Sequence, residues 1–359
     1  MKPLVFEQLA LQFGLDKFSN LQTLGEGHIH ETYLVKNNKT VVLQKVNTGV
    51  FPNQKSLMNN FKCTQNHLAD KQKQKHYPYE VLSLLPTING QLFWEDESLG
   101  VWRAFEFVPE TISLQTVATP EQAFQVAQAF GAFNKALLDS DLSQFDEVIT
   151  DFHNVHVRFE QLQEAIGQAS DERLVAAVEA LRLVEEYHAV VIAFDVLVAR
   201  GLPMRVTHND TKINNVLLNQ GDGLARCVID LDTVMPGYLM YDFGDMVRTV
   251  ASPEPEDSMK YDRVQARPEI LAALVAGYMD SLGDAITPIE VESLVLGAKL
   301  LPYMIGLRFL ADYLRGDTYF KTAYPEHNLV RALNQFTLLT SLDAQETQLH
   351  DMLKQCLPQ

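Results

Sequence analysis

The period of the hydrophobic pattern changes at Pro109, and no other feature of the sequence constrains the fold as much. Before it, short alternating runs at Leu21–Leu24, Thr32–Val35, Thr40–Val46, Val81–Ile88 and Val101–Val108 read as strands. Asn37-Asn38 and Asn89-Gly90 supply turns, and Leu57–Lys73 is a polar helical stretch. After it the spacing is helical. Thr119-Pro120-Glu121-Gln122 offers a Thr N-cap, Pro at the first helical position and Gln at the third, and Ala123, Val126, Ala127, Phe130, Phe133 and Leu137 follow along one face. Leu174 to Ile192 repeats that period, and Thr287-Pro288-Ile289-Glu290 opens a further helix that runs to Leu314. The expected architecture is α+β, with a small β-rich N-terminal lobe over residues 1–109 and a larger, mainly helical C-terminal lobe over 110–359. With 359 residues, 47% of them hydrophobic, the chain can bury two cores. No Gly/Ser linker separates the lobes, so Phe107–Leu114 reads as a hinge and the cleft beside it as the default site.

Charge and cysteine content narrow the chemistry. Twenty-nine Lys and Arg against 46 Asp and Glu give a net charge of −17, without a basic stripe, which disfavours nucleic acid and anionic membrane surfaces as partners. Cys63, Cys227 and Cys356 are widely spaced and form no CxxC pair, so reduced thiols are expected and structural zinc is not. Glu7 and Gln8 interrupt the apolar N-terminal stretch, and no eighteen apolar residues run together. The expectation is a soluble cytoplasmic protein, with no obligate protein partner evident.

The chemistry concentrates between Val206 and Asp232. Val216–Leu218 and Leu224–Ile229 are apolar strands joined by Gly221-Asp222-Gly223, so the folded hairpin sets Asn215 at its entrance beside Asp230 at its exit. An Asn carbonyl and an Asp carboxylate form a hard-oxygen pair suited to Mg²⁺. Asp210, five residues before Asn215, reaches the same mouth, and Lys212 adds the positive charge that a transferring phosphoryl group requires. Asp-x-Lys-x-x-Asn followed by an Asp after a hairpin is the catalytic-loop spacing of kinases. Asp242-Phe243-Gly244 spells the metal-binding tripeptide of protein kinases but lies outside the hairpin. Asp230 is therefore taken as the ligand, and Asp242 as a helix cap or an acceptor of backbone N–H bonds beneath the loop. Asp232 shares a strand face with Asp230 and reads as a second ligand, a substrate contact or a solvated strand end.

In the small lobe, Gly25 and Gly27 sit between two strands where backbone N–H groups can approach phosphate, although His30 replaces the third glycine of GxGxxG. Lys45 stands in the strand position from which kinases reach phosphates, but Leu57–Lys75 contains no Glu to pair with it. Trp102–Pro109 offers main-chain groups at Glu106 and Val108 for an adenine. His153 and His156, at i, i+3, lack a third ligand and read as solvent-facing. Arg308, Asp312, Tyr313, Asp317 and Tyr319 cluster either as a sugar-binding group or as a helix end stopped by Gly316.

His208-Asn-Asp-Thr-Lys-Ile-Asn-Asn215, Val228-Ile-Asp-Leu-Asp-Thr-Val-Met-Pro-Gly237 and Tyr241-Asp-Phe-Gly-Asp245 resemble the aminoglycoside/choline phosphotransferase superfamily, and most closely the N-acetylhexosamine 1-kinases. Leu43-Gln-Lys-Val-Asn47 and Arg308 to Phe320 extend the likeness over most of the chain. Where the wider superfamily has His-Gly-Asp, this chain has His-Asn-Asp. The resemblance implies a two-lobed protein-kinase-like fold, a nucleotide-binding N-terminal lobe, and transfer of the ATP γ-phosphate to the anomeric hydroxyl of GlcNAc or GalNAc. It further implies Asp210 as base, Asn215 and Asp230 as magnesium ligands, and Arg308 and Tyr319 as sugar contacts. A kinase for an aminoglycoside or choline, and a kinase-like binding protein without turnover, are the alternative readings.

Overall fold

The computed structural model describes residues 3–16, 21–24, 29–36 and 39–357. Gly25, Gly27 and the Asn37-Asn38 turn lie outside them. Helix α1 (Pro3–Gln12) precedes strands β1 (Leu21–Thr23), β2 (Glu31–Lys36) and β3 (Thr40–Lys45). Helix α2 (Gln54–Lys73) follows, then β4 (Glu80–Val81), β5 (Leu84–Leu85), β6 (Trp94–Asp96) and β7 (Gly100–Glu106). These strands, β4 apart, form an antiparallel sheet of order β1-β2-β3-β7-β5, with β6 also paired to β7. Its outer face is covered by α1, where Leu9, Ala10 and Phe13 pack on Val35, Val41, Leu43, Trp102 and Ala104. The inner face meets α2, with Phe61 against Phe105 at 5.4 Å between ring centroids. Strand alternation thus sorts β3 and β7 into an outer set facing α1 and an inner set facing the cleft.

The second lobe is built on a smaller sheet, β4-β11-β10-β8, from β8 (Thr111–Ser113), β10 (Val216–Asn219) and β11 (Ala225–Val228). The β10–β11 hairpin turns at Gly221–Gly223, with Gly223 at φ +73° and Asn219 N–H bonded to Leu224 O at 2.8 Å. The expected strand Val81–Ile88 is divided: β4 pairs in parallel with β11, and β5 returns to the first sheet. Nothing in its leucine-rich run marks the exchange. A two-stranded ribbon pairs β9 (Arg205–Thr207) with β12 (Met235–Gly237).

The helices are α3 (Pro120–Leu137), α4 (Val155–Gln168), α5 (Asp171–Ala176), α6 (Val178–Glu186), α7 (Ala189–Ala199), α8 (Leu239–Val250), α9 (Pro268–Leu282), α10 (Pro288–Leu314), α11 (His327–Asp343) and α12 (Glu346–Gln355). The expected caps form: Thr119 Oγ1 accepts from Gln122 N–H, and Thr287 and Glu290 close a capping box at the start of α10. The single period read from Leu174 to Ile192 is broken into α5, α6 and α7. Gly244 of α8 and Gly297 of α10 let their backbones cross so closely that a Cβ on Gly244 would lie 2.2 Å from Gly297 O. Helix α10 is long and apolar enough to cross a membrane, yet 83% of its most apolar stretch is buried in the protein. One apolar core runs through both lobes, joining Phe51, Phe61, Leu84 and Phe105 to Phe130, Val216, Val228 and Phe243.

Candidate active site

The loop after β9 is pinned from several directions. Asp242, in the first turn of α8, accepts the backbone N–H groups of His208 (2.9 Å) and Asn209 (2.6 Å), which fulfils the role beneath the loop expected of it. Asn209 adopts φ +62°, a left-handed conformation that glycine takes freely and Asn tolerates, which accounts for Asn in the middle of His-Asn-Asp. Its side-chain amide donates to the carbonyls of Thr207 and Thr233 at 3.2 and 3.0 Å. The Thr233 hydroxyl donates to His208 O at 2.7 Å. The His208 ring lies edge-on to Phe130 and Phe133 and donates from Nε2 to Ile229 O at 3.0 Å, leaving Nδ1 to accept Asp210 N–H at 3.3 Å. The position of Asp210 is therefore fixed by its backbone.

Around Asp210 the structure brings together Lys212, Asn215 and Asp230. Lys212 Nζ lies 2.7 Å from Asp210 Oδ1. Asn215 Nδ2 donates to Asp210 O at 2.9 Å and to its Oδ2 at 3.2 Å, which turns the Asn215 carbonyl oxygen away and leaves it available. Ile229 N–H bonds Asn215 O at 2.9 Å across the hairpin, so Asp230, at φ +59°, stands next to Asn215. Burial pushes the Asp210 carboxyl up, but Lys212, with His208 and Arg248 beyond it, outweighs burial and holds it below the usual carboxylate range. At Asp230 the balance is opposite: desolvation in the cleft and the neighbouring Asp232 and Asp210 push its carboxyl up to about 7. A carboxylate crowded by others beside an uncommitted amide oxygen fits a divalent cation that completes its shell with phosphate and water. Among the described residues, no group of three or more His, Cys, Asp or Glu is placed to hold a metal.

The small lobe departs from the sequence reading at two positions. Lys45 lies on the same face of β3 as Val41 and Leu43, which pack under α1, and faces Glu31 across the strand pair at 3.7 Å. The inner-face residue is Gln44, and the cation beside it is Arg103 of β7. Asp232 is not open to a substrate: it is 2% exposed, with Arg103 Nη1 2.6 Å from Oδ1 and His30 Nε2 2.7 Å from Oδ2. Glu106 ends β7 and Val108 follows where the chain crosses to β8. The Val108 carbonyl accepts the Thr111 hydroxyl at 2.9 Å. Arg103 was legible only as a lone charge within the apolar run Val101–Phe105.

The Arg308 guanidinium from α10 lies over Phe152 and Phe320, 5.6 and 5.5 Å from their centroids. Burial draws its pKa below the usual arginine value, with Tyr319 opposing and Arg248 reinforcing that shift. Tyr319 is 67% exposed, on a loop gathered by Asp312, which accepts Tyr319 N–H at 2.8 Å and Phe320 N–H at 2.9 Å. Asp312 is a scaffold for this loop, and Asp317 pairs with Arg173 at 2.9 Å. Arg248 is neutralised by Asp245 at 2.8 Å and by Glu256. His153 is buried rather than solvent-facing, correcting the sequence reading. Its Nε2 bonds Asn209 O at 2.8 Å, and burial above all keeps it neutral, its pKa drawn down to about 3. His156 instead pairs with Asp195 at the surface, 2.8 Å away.

Comparison with solved structures returns the same architecture at low identity. A microcompartment-associated aminopropanol kinase matches at 15% identity and a TM-score of 0.64, covering 97% of this chain and 98% of the other. A spectinomycin phosphotransferase in complex with ADP and spectinomycin matches at 12% identity and 0.61, over 96% and 98%. A choline kinase from Streptococcus pneumoniae matches at 14% and 0.54, over 95% and 98%. These likenesses confirm the two-lobed kinase-like fold. Independently of them, the sequence profile described as the phosphotransferase enzyme family spans residues 20–283, the hairpin and the pinned loop included, and the chain belongs to that family.

Proposed function

We propose that this phosphotransferase is an ATP- and Mg²⁺-dependent kinase that phosphorylates the anomeric hydroxyl of N-acetylhexosamines, GlcNAc and GalNAc, to their 1-phosphates. Its support is the pinned loop that presents Asp210 between Lys212 and Asn215, beside Asp230. Asp210 orients the acceptor hydroxyl and takes its proton, with Lys212 balancing charge as the phosphoryl group passes. Asn215 and Asp230 would hold the cation, which when bound neutralises the phosphate oxygens. Gly25, Gly27 and the main chain at Glu106 and Val108 would receive the nucleotide. Lys45 is withdrawn from that role, so the missing Lys–Glu pair no longer argues for a protein without turnover.

The acceptor side favours a neutral polyol over an organic cation. Arg308 has no carboxylate paired to it among the described salt bridges and Arg158 stands near it, whereas Arg248 is already balanced by Asp245 and Glu256; an ammonium acceptor would meet the positive charge of Arg308 and Arg158. Arg308 and Tyr319 offer a donor fork and a phenol to a pyranose. The test is an ADP-release screen over GlcNAc, GalNAc, glucose, galactose, choline and aminoglycosides, with phosphorus NMR of the product. A 1-phosphate of GlcNAc or GalNAc is expected. A sugar 6-phosphate, or turnover of choline or aminoglycosides alone, would overturn the specificity.

A further inference from the structure

The Asp232 carboxylate is held from across the cleft. Arg103 donates from Nη1 to Oδ1 at 2.6 Å and from Nη2 to Oδ2 at 2.5 Å, a bidentate pair between side chains that are almost sealed from solvent. His30 adds a contact to Oδ2 at 2.7 Å. Its Nδ1 accepts Asn47 N–H at 3.0 Å, so Nε2 carries the hydrogen toward Asp232. Arg103 is itself oriented by Gln44 Oε1, 2.9 Å from its Nε, and Gln44 by Thr32, 3.0 Å away. Phe51 stacks on His30 at 5.4 Å, and Phe105 lies under the guanidinium at 4.9 Å. The whole cluster belongs to the small lobe except for the carboxylate it grips.

That grip falls two residues after Asp230. The Asp230 backbone is left-handed, and its side chain has no hydrogen-bonding partner among the described residues, so its direction follows the turn over Leu231–Thr233. Within the large lobe that turn is tied by Thr233 to His208 O and by Asn209 Nδ2 to Thr233 O; from the small lobe Arg103 and His30 hold it through Asp232. We propose that Arg103 is a positioning residue for the metal site: through Asp232 it sets the direction of Asp230, so that the cation-binding pair Asn215–Asp230 is in register only while the small lobe is seated. This rests on the phosphotransferase reading of the site and adds a dependence of metal binding on lobe contact.

The test is calorimetric binding of Mn²⁺ in the presence of a non-hydrolysable ATP analogue, with thermal unfolding recorded for every variant. Arg103→Met and Asp232→Asn each leave a buried partner unpaired, and both are expected to lose stability and metal affinity together. The double variant Arg103→Met/Asp232→Asn removes both charges. Its melting temperature should recover most of the loss, while its metal affinity stays about tenfold weaker than wild type. Arg103→Lys keeps the charge without the fork and should weaken the metal by an intermediate factor in a folded protein. Metal affinity that recovers in step with stability, or equals wild type in any folded variant, would overturn the proposal by making the pair a structural tie alone. A wild-type protein that binds the analogue without any metal dependence would overturn the kinase reading instead, a result visible before any variant is made.

Discussion

Lys212 Nζ and Asp210 Oδ1, 2.7 Å apart, form an ion pair at the mouth of the cleft in which the lysine, not solvent, sets the charge state of the carboxylate. Burial alone would favour a protonated Asp210, a poor acceptor of a hydroxyl proton. With Lys212 in place the carboxylate is ready at neutral pH. Lys212→Met should therefore move the acid limb of the kcat/KM profile to higher pH, since burial is then opposed only by His208 and Arg248. An acid limb that does not move would show that Asp210 does not govern it.

Asp210→Asn keeps the shape but loses the base, and its amide can accept from only one of Lys212 and Asn215. The expected result is a kcat lower by roughly 10²–10⁴ with nucleotide affinity nearly unchanged. Turnover equal to wild type would remove Asp210 from the mechanism.

The two aspartates that a motif search confuses should separate cleanly. Asp230→Ala is expected to abolish Mg²⁺-dependent nucleotide binding in a folded protein, because a triphosphate cannot lie against carboxylates without its cation. Asp242→Ala leaves the buried N–H groups of His208 and Asn209 unpaired and should cost about 2–4 kcal/mol of stability. Calorimetry and thermal melts on the two variants check this; the reverse pattern would return the metal to Asp242.

His153 gives the fold a pH dependence. Its folded pKa is drawn down to about 3 from an ordinary value of 6.5, so the unfolded chain takes up a proton that the folded chain refuses. Its contribution is complete above pH 6.5 and is lost as pH falls toward 3, by at most about 5 kcal/mol. His153→Gln, which can still donate to Asn209 O, should flatten the acid side of the stability profile between those limits. Parallel acid melts for the two proteins would show that the histidine is not buried as a neutral ring.

Arg308→Ala should lower kcat/KM for the sugar by roughly 10–100-fold while sparing ATP binding, as expected for a group that touches the acceptor alone. Loss of the acetamido group from the substrate should cost only about 1–3 kcal/mol in kcat/KM, leaving weak activity on glucose and galactose. Equal loss for choline and for sugar in the same variant would show that Arg308 supports the fold rather than the acceptor.

The hairpin and its neighbours were legible because their determinants are local. Val216–Leu218, a glycine turn and a strand ending at Asp230 specify one another within fifteen residues, and the displacement of Asp242 from that unit was enough to give it a different role. Lys45 was misplaced because a strand's two faces differ by a single residue, and the reading of Val41–Val46 had no anchor for which face met the cleft. The α1 contacts decide it, and they come from the far end of the chain. Arg103 and Asp232 are 129 positions apart, and no spacing rule connects them. His153 read as exposed because Phe152 and Asn154 beside it suggest nothing of Asn209, whose carbonyl it meets across the fold.

The pairing of Glu80–Val81 with Cys227–Val228 makes the boundary at Pro109 a poor place to cut. A fragment ending there would carry away the strand that covers the edge of β11, and with it Phe51, Phe61 and Phe105 from an apolar core whose other half lies beyond the cut. Both pieces would expose ladder edges and aromatic surface, the usual route to aggregation. Exchange of lobes with a relative would meet the same obstacle. A chimera that works must move residues 80–81 with the helical half, following neighbours in space rather than order along the gene.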